Sequence, residues 1–135
     1  MANETTPHSM INSIRAQLKS KLGACYYWKE APENADFPYR VAFLAQSSDD
    51  TPTDVFMLNL DYVGNGKQWE TIYETINSDM GDGDPISPTG LNNMHIRTEN
   101  GSASLYYDQT ALLEDAEKEL QFIRVTYQVR VFRRK

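Results

Sequence analysis

One cysteine and two histidines are the residues most directly suited to nucleophilic or metal chemistry. A nucleophilic Cys25 would need a histidine and an orienting group beside it. His8 lies in a polar N-terminal stretch and His95 in a strand-like segment, far apart in sequence. A lone cysteine and two scattered histidines also give no zinc-ligand spacing. A buried structural thiol therefore explains Cys25 better.

The stretch from Asp79 to Asp84 brings three carboxylates together and raises the question of a cation-binding loop. An EF-hand loop needs an oxygen ligand at its fifth position, and counting from Asp82 that position is Ile86. A solvated loop is the simpler explanation, and no metal or cofactor is predicted here.

A second acidic group, Asp49, Asp50 and Asp54, could in principle combine with Glu30 or Asp36 for acid–base chemistry. Acidic loops are more often only solvated. We therefore predict no catalytic residue in this chain, and no enzyme activity.

Basic residues concentrate at the C-terminal end, where 5 of the 13 Lys and Arg occupy the last 12 positions. Arg124 and Arg130 fall on the polar face of a predicted strand, and Arg133 and Arg134 follow it. Arginines so placed could bind phosphate. A solvated face, or one paired with another subunit, explains them equally well.

The composition predicts a single soluble domain. The chain has 135 residues, is 40% hydrophobic and 24% charged, and carries a net charge of −6. This length can bury a core without disulfides, and the acidity argues against broad binding to nucleic acid or anionic membranes. No apolar run is long enough to span a bilayer. We predict a disordered N-terminal segment, 1–8, and one α+β domain, 9–135.

The segment from Leu120 to Phe132 has the clearest strand pattern. Its apolar side chains alternate with mostly polar ones at period two. They are Ile123, Val125, Tyr127, Val129 and Val131. We expect a central strand of an antiparallel sheet, with the apolar face covered and the polar face open to solvent or a partner.

Two amphipathic helices are predicted, one from Ser9 to Leu22 and one from Lys67 to Met80. The second has an apolar stripe at helical spacing, formed by Trp69, Ile72, Tyr73, Ile76 and Met80. The other predicted strands are Cys25–Lys29, Tyr39–Gln46, Asp54–Val63, Met94–Glu99 and Ser102–Tyr107. Asn100-Gly101 predicts a hairpin turn. The remaining segments, Gly81–Asn93 and Asp108–Glu119, read as a long mobile loop and a connector with a helical turn near Ala111–Glu117.

The predicted element order is α-β-β-β-α-β-β-β. The fold class that fits is α+β, with an antiparallel or mixed sheet of five to six strands and two helices packed on one face.

This order, with Asp36-Phe37-Pro38-Tyr39 leading into a strand and a closing strand of texture R-V-T-Y-Q-V-R-V, resembles the tail terminator family of long-tailed bacteriophages. These gpU-like proteins are also called tail-completion or minor tail proteins. The resemblance covers about Met10 to Phe132.

The resemblance implies a structural role in the virion tail, with assembly in the host cytoplasm. Such proteins form a hexameric ring that caps the tail tube, stops its elongation and joins it to the head-tail connector protein. DNA passes only through the lumen, no membrane is involved, and the family has no catalytic residues or cofactors.

In a ring, one head-to-tail interface is repeated around an axis. We hypothesise that Asp49, Asp50 and Asp54 of one subunit lie near Arg130, Arg133 or Arg134 of the next. Two alternatives stay open. One is another neck component of the same particle, such as a head-closure protein, and the other is a small α+β enzyme or ligand-binding domain with a pocket between helices and sheet.

Overall fold

The computed structural model describes residues 7–23, 25–49, 53–65, 68–98, 101–115 and 120–133. Two helices and six strands follow one another in the predicted α-β-β-β-α-β-β-β order. They are α1 (Pro7–Leu22), β1 (Tyr26–Trp28), β2 (Tyr39–Asp49), β3 (Thr53–Asn65), α2 (Trp69–Met80), β4 (His95–Thr98), β5 (Gly101–Asp115) and β6 (Leu120–Arg133).

The six strands form one mixed sheet in the order β1-β2-β3-β6-β5-β4, curled into a half-barrel. The α+β class is confirmed, and the sheet is mixed rather than purely antiparallel because β1 pairs with β2 in parallel. A parallel pair requires the chain to return to the end of the sheet at which it started. Since β1 has only three residues, the connection 29–38 can make that return without a helix.

The central position of β6 is confirmed, because it pairs with β3 on one side and β5 on the other over its whole length. The five predicted apolar side chains of β6 are each at most 1% exposed. Directly opposite residues of two antiparallel strands share a face, so this register also aligns Leu58 and Leu105 with the buried row.

Buried side chains of both helices belong to the same hydrophobic cluster as this sheet face. Ile14, Leu18 and Leu22 contribute from α1, and Ile72 and Ile76 from α2. The helix α1 begins at Pro7, two residues earlier than predicted. A proline suits a first helical turn because the missing N–H would have no helical partner there. Neither described helix is long and apolar enough to cross a membrane.

The predicted connector from Asp108 onward is wrong over 108–115, where β5 continues and pairs with β6 as far as Asp115. Ala, Leu and Glu favour a helix locally, but pairing along the neighbouring strand overrides that weak preference. A β-bulge between Tyr107 and Gln109 keeps the two strands paired, with Asp108 as the additional residue. Positions 116–119, where the predicted helical turn ends, lie outside the described residues.

Two hairpins are present. The strands β2 and β3 pair as far as Asp49 and Asp54, so β2 continues past its predicted end at Gln46, whereas Asp54 is the predicted start of its strand. In the β4–β5 hairpin Thr98 pairs with Gly101. Asn100, one of the two residues predicted to form the turn, lies outside the described residues.

Candidate interaction surface

The acidic and basic groups predicted to meet between subunits share one end of the sheet within a single chain. Asp49 pairs with Asp54 at the end of the β2–β3 hairpin, and Asp54 pairs with Val131 of β6. Arg130 and Arg133 lie on either side of Val131 in sequence, so their backbone positions lie near the acidic end of the hairpin. Asp50 and Arg134 lie outside the described residues. The backbone register thus brings the two groups to the same end of the sheet in one subunit.

Arg124 is engaged within its own subunit. Its Nε and Nη2 atoms donate to the two carboxylate oxygens of Asp61 on β3, at 2.7 and 3.0 Å. The guanidinium carbon also lies 5.2 Å from the centroid of the Phe43 ring. The hydrogen bonds to Asp61, and then the charge of that carboxylate, hold the pKa of Arg124 above its ordinary value against the opposing effect of burial. Arg124 is therefore a cross-strand partner of Asp61 rather than an open phosphate ligand.

The face of the sheet opposite the hydrophobic cluster, which we call the second sheet face, carries Arg124 and the other outward residues of β6. Thr126 donates to the side-chain oxygen of Asn59 at 2.8 Å, and Arg130 donates from Nε to Gln128 at 2.9 Å. Arg130 is exposed, and Phe132 beside it is 46% exposed. A polar surface with exposed aromatic side chains has the composition of many protein–protein interfaces.

A buried ionic cluster, which sequence analysis missed, joins four elements. The Nη1 atom of Arg40 donates to both Asp79 carboxylate oxygens at 2.8 and 2.9 Å, and Tyr62 donates its hydroxyl to Asp79 at 2.7 Å. The Nη2 atom of Arg40 also donates to the carbonyl of Leu22, at the C-terminal end of α1. Arg40 lies on β2 and Asp79 lies on α2, 39 residues apart in sequence. No local sequence pattern therefore links them. The cluster ties α1, β2, β3 and α2 together.

Burial is the main cause of the shifted pKa values of Asp79 and Tyr62 in this cluster. It raises the pKa of Asp79 above its ordinary value, while the Tyr62 hydrogen bond and the Arg40 charge oppose that effect. Burial also raises the pKa of Tyr62 well above normal, and the adjacent Asp79 carboxylate adds to the increase. The arrangement fits a structural role, because each polar group has its partner inside the protein.

The carboxylates of Asp82 and Asp84, in the 81–93 loop, accept hydrogen bonds from backbone N–H groups of the same loop. Asp82 accepts the N–H groups of Asp84 and Thr89, and Asp84 accepts those of Ile86 and Ser87. The hydrogen bond from Asp84, followed by that from Thr89, lowers the pKa of Asp82. Among the described residues, no group of three or more His, Cys, Asp or Glu side chains is placed to hold a metal ion.

Cys25 and His95 lie at opposite ends of the strand order. Cys25 directly precedes β1, and His95 opens β4, the other end of the same sheet. The Nδ1 atom of His95 is hydrogen-bonded to the hydroxyl of Ser104 at 2.7 Å instead. The fold therefore keeps Cys25 and His95 too far apart to act as a pair in nucleophilic catalysis.

A groove of about 520 Å³ lies between α1 and β1 and was not predicted from the sequence. Its lining combines cations and aromatic rings: Arg15, Lys19, Tyr26, Tyr27 and Trp28, with Asn12 and Glu30. The guanidinium carbon of Arg15 stacks 4.9 Å from the Trp28 ring centroid. The hydroxyl of Tyr26 is buried and has no hydrogen-bond partner within the described part of the chain. Burial raises the pKa of Tyr26 to about 12, and the Arg15 charge partly offsets this.

Comparison with solved structures shows a likeness in fold. No protein-family model matches the chain, and no curated protein matches it. A chain from the solved structure described as "Virion of native gene transfer agent (GTA) particle" has the same fold, with a TM-score of 0.60. The two share 15% sequence identity, and the match covers 91% of each chain. At that identity the likeness establishes a shared fold.

Proposed function

We propose that this chain is a structural protein of a phage-like particle, and specifically a tail terminator that forms a ring on the end of the tail tube. The shared fold with a chain of a gene transfer agent virion is the observation that carries the proposal, since the match covers 91% of both chains. The residue pattern that resembles tail terminators supports the finer role independently of that fold likeness.

The ring would act without catalysis. It would end elongation by covering the last layer of tube subunits and would offer its other side to the head-tail connector protein. A negative net charge of −6 suits a channel for DNA, because a strongly cationic lumen would retain the phosphate backbone. The proposal therefore includes no cofactor, no membrane contact and no enzymatic activity.

The charged ends of β2, β3 and β6 provide a first test of the subunit contact. If Asp49 and Asp54 pair with Arg130 and Arg133 of the next subunit, reversing either group alone should abolish assembly, and reversing both should restore it. Because the groups share one end of the sheet in each subunit, pairing within the subunit competes with this contact. Thermal unfolding of the same variants separates the two, since pairing within the subunit changes monomer stability instead of assembly.

Another neck component of the particle, such as a head-closure protein, is the second candidate. The virion likeness favours it to the same degree, because a shared fold does not distinguish the positions of two virion proteins. The two roles differ in the partner that the chain binds. A terminator binds the end of the tail tube, whereas a head-closure protein binds the portal side of the neck.

The test is polymerisation of the tail-tube protein encoded with this chain, with and without the chain present. We expect the chain to shorten the tubes and to appear as a ring at one end of each tube in negative-stain images. Tubes of unchanged length with bare ends would contradict the terminator role. Binding of the chain to portal complexes under the same conditions would support the head-closure role.

A further inference from the structure

Over the distal half of β5, the edge that faces away from β6 has no neighbouring strand among the described residues, and we call it the free edge of β5. Within the described part of the chain, β4 pairs only with Gly101–Ser104 of β5. The N–H of Tyr107 is bound by the side chain of Asn92, and past that point no described strand lies on this side. An unpaired edge can accept a strand or surface from another chain.

The exposed residues of this edge combine apolar and acidic side chains. Tyr107 is 39% exposed and Leu112 is 56% exposed, and Asp108 is exposed at the bulge. The segment 106–115 contains Asp108, Glu114 and Asp115 and no lysine, arginine or proline. Edges that proteins protect from association usually carry lysine or proline. This edge therefore has neither of those residues, and its described charged side chain, Asp108 at the β-bulge, is negative.

The groove between α1 and β1 lies at the other end of the strand order. Its basic and aromatic lining complements the acidic and apolar side chains of the β5 edge. The helix α1 carries Arg15, Lys19 and Lys21 and no aspartate or glutamate. The floor of the groove is aromatic, with Tyr26, Tyr27 and Trp28. The hydroxyl of Tyr26 is a buried donor that has no partner in the described residues, and leaving a buried donor unpaired is unfavourable.

We propose that the groove between α1 and β1 receives the distal edge of β5 from a second copy of this chain. The groove supplies cations, aromatic rings and the Tyr26 hydroxyl, and the edge supplies Asp108, Leu112 and backbone groups that no described strand pairs. The two surfaces lie at opposite ends of the strand order, so each copy can engage one neighbour through each surface. This is the geometry of a head-to-tail contact that closes into a ring. The proposal rests on the proposed function and identifies two surfaces for the contact between ring subunits, in addition to the charged ends of β2, β3 and β6.

Subunit mixing tests the direction of the contact. A groove variant, R15E/K19E, keeps an intact edge, and an edge variant, D108K/L112K, keeps an intact groove. We expect each variant alone to be monomeric by light scattering, and an equimolar mixture to form a heterodimer that grows no further. Under conditions in which the wild type assembles, assembly of either variant like the wild type would overturn the proposal, as would a mixture that stays monomeric.

A disulfide trap tests the same contact even if the ring closes only on a tail tube. In a Cys25→Ser background, one variant carries Ala16→Cys in the groove and another carries Leu112→Cys on the edge. Under mild oxidation we expect the mixture to form a cross-linked dimer at least tenfold faster than either variant does with Glu74→Cys, an exposed position on α2. Equal rates would overturn the proposal.

The outcomes separate this inference from the proposed function. Rings that form while the trap shows no preference would leave the terminator role intact and place the contact elsewhere. A specific trap in a protein that never caps a tube would establish the contact and contradict the terminator role.

Discussion

Asp79 shows how burial and pairing act against each other at a single residue. The side chains of Arg40 and Asp79 are only 12% and 9% exposed, so their attraction is offset by the cost of removing both charges from water. The hydrogen bonds from Tyr62 to Asp79 and from Arg40 to Leu22 satisfy further polar atoms. The largest effect on stability is therefore expected when one partner is removed and the polar groups of the others stay buried.

The first prediction concerns removal of one partner. Asp79→Ala removes the carboxylate that accepts two hydrogen bonds from the buried Arg40, and we expect a loss of about 3–5 kcal/mol in the free energy of unfolding. Asp61→Ala is the matched control, because its partner Arg124 is 39% exposed and such pairs contribute at most about 1 kcal/mol. Urea unfolding measures both variants. Similar losses for the two would show that burial of the Arg40 pair has no special cost.

The second prediction concerns pH and uses Asp79→Asn, which keeps the shape of the side chain. Because burial raises the pKa of Asp79 in the folded protein, folding favours the protonated carboxyl. The contribution of Asp79 to stability is therefore fully present below its ordinary value of 3.8 and is lost as the pH rises through the raised value. The neutral asparagine has no such dependence.

Urea unfolding from pH 3 to 7 should show the wild type losing stability relative to Asp79→Asn as the pH rises. If the wild type gained stability relative to the variant over this range, the pKa of Asp79 would instead be lowered. In that case pairing with Arg40 would outweigh burial.

The third prediction at the residue scale concerns the close backbone contact around Gly90. A side chain on Gly90 would collide with the backbone of Asp79 and Gly81, where α2 meets the following loop. Overpacking of this kind costs about 1–3 kcal/mol, so we expect Gly90→Ala to lower the melting temperature. Ser87→Ala, in an exposed part of the same loop, serves as the control and should change stability by no more than about 0.5 kcal/mol. An unchanged melting temperature for Gly90→Ala would contradict the contact.

At the scale of the element, period-two and helical patterns were sufficient to predict all eight elements in order. The pattern of β6 predicted five of its buried side chains, because a central strand is constrained by neighbours on both sides, but it did not predict that Thr126 on the other face is also buried. The distal half of β5 was missed because its pairing with β6 depends on contacts distant in sequence. The parallel pairing of β1 and the Arg40–Asp79 pair were missed for the same reason.

The stripe of α2 shows the limit of periodicity alone. Ile72 and Ile76 are at most 4% exposed, whereas Tyr73 in the same predicted stripe is 48% exposed. We expect Ile72→Ala to destabilise the protein by about 2–5 kcal/mol, since it removes buried methyl groups and leaves a cavity. Tyr73→Ala should cost less than half as much. Equal effects measured by chemical unfolding would show that the helix docks through a different face.

At the scale of the whole molecule, three surface features could contact partners. They are the second sheet face, the groove between α1 and β1, and the free edge of β5. The groove lies at one end of the strand order, and the free edge lies at the other. Sequence analysis predicted a self-associating structural protein and named charged residues for its contacts. It could not find the groove, because Arg15 and Trp28 come together only when α1 packs beside β1.

The most direct test of a ring-forming terminator is the mass of its assembly on the tail tube. Cryo-electron microscopy of tubes formed with the chain should show one closed ring of about six copies at a single tube end, as cyclic head-to-tail association requires. Mass photometry of complexes released from the tubes should give the mass of the same ring. Isolated monomers both in solution and at the tube ends would contradict the central claim.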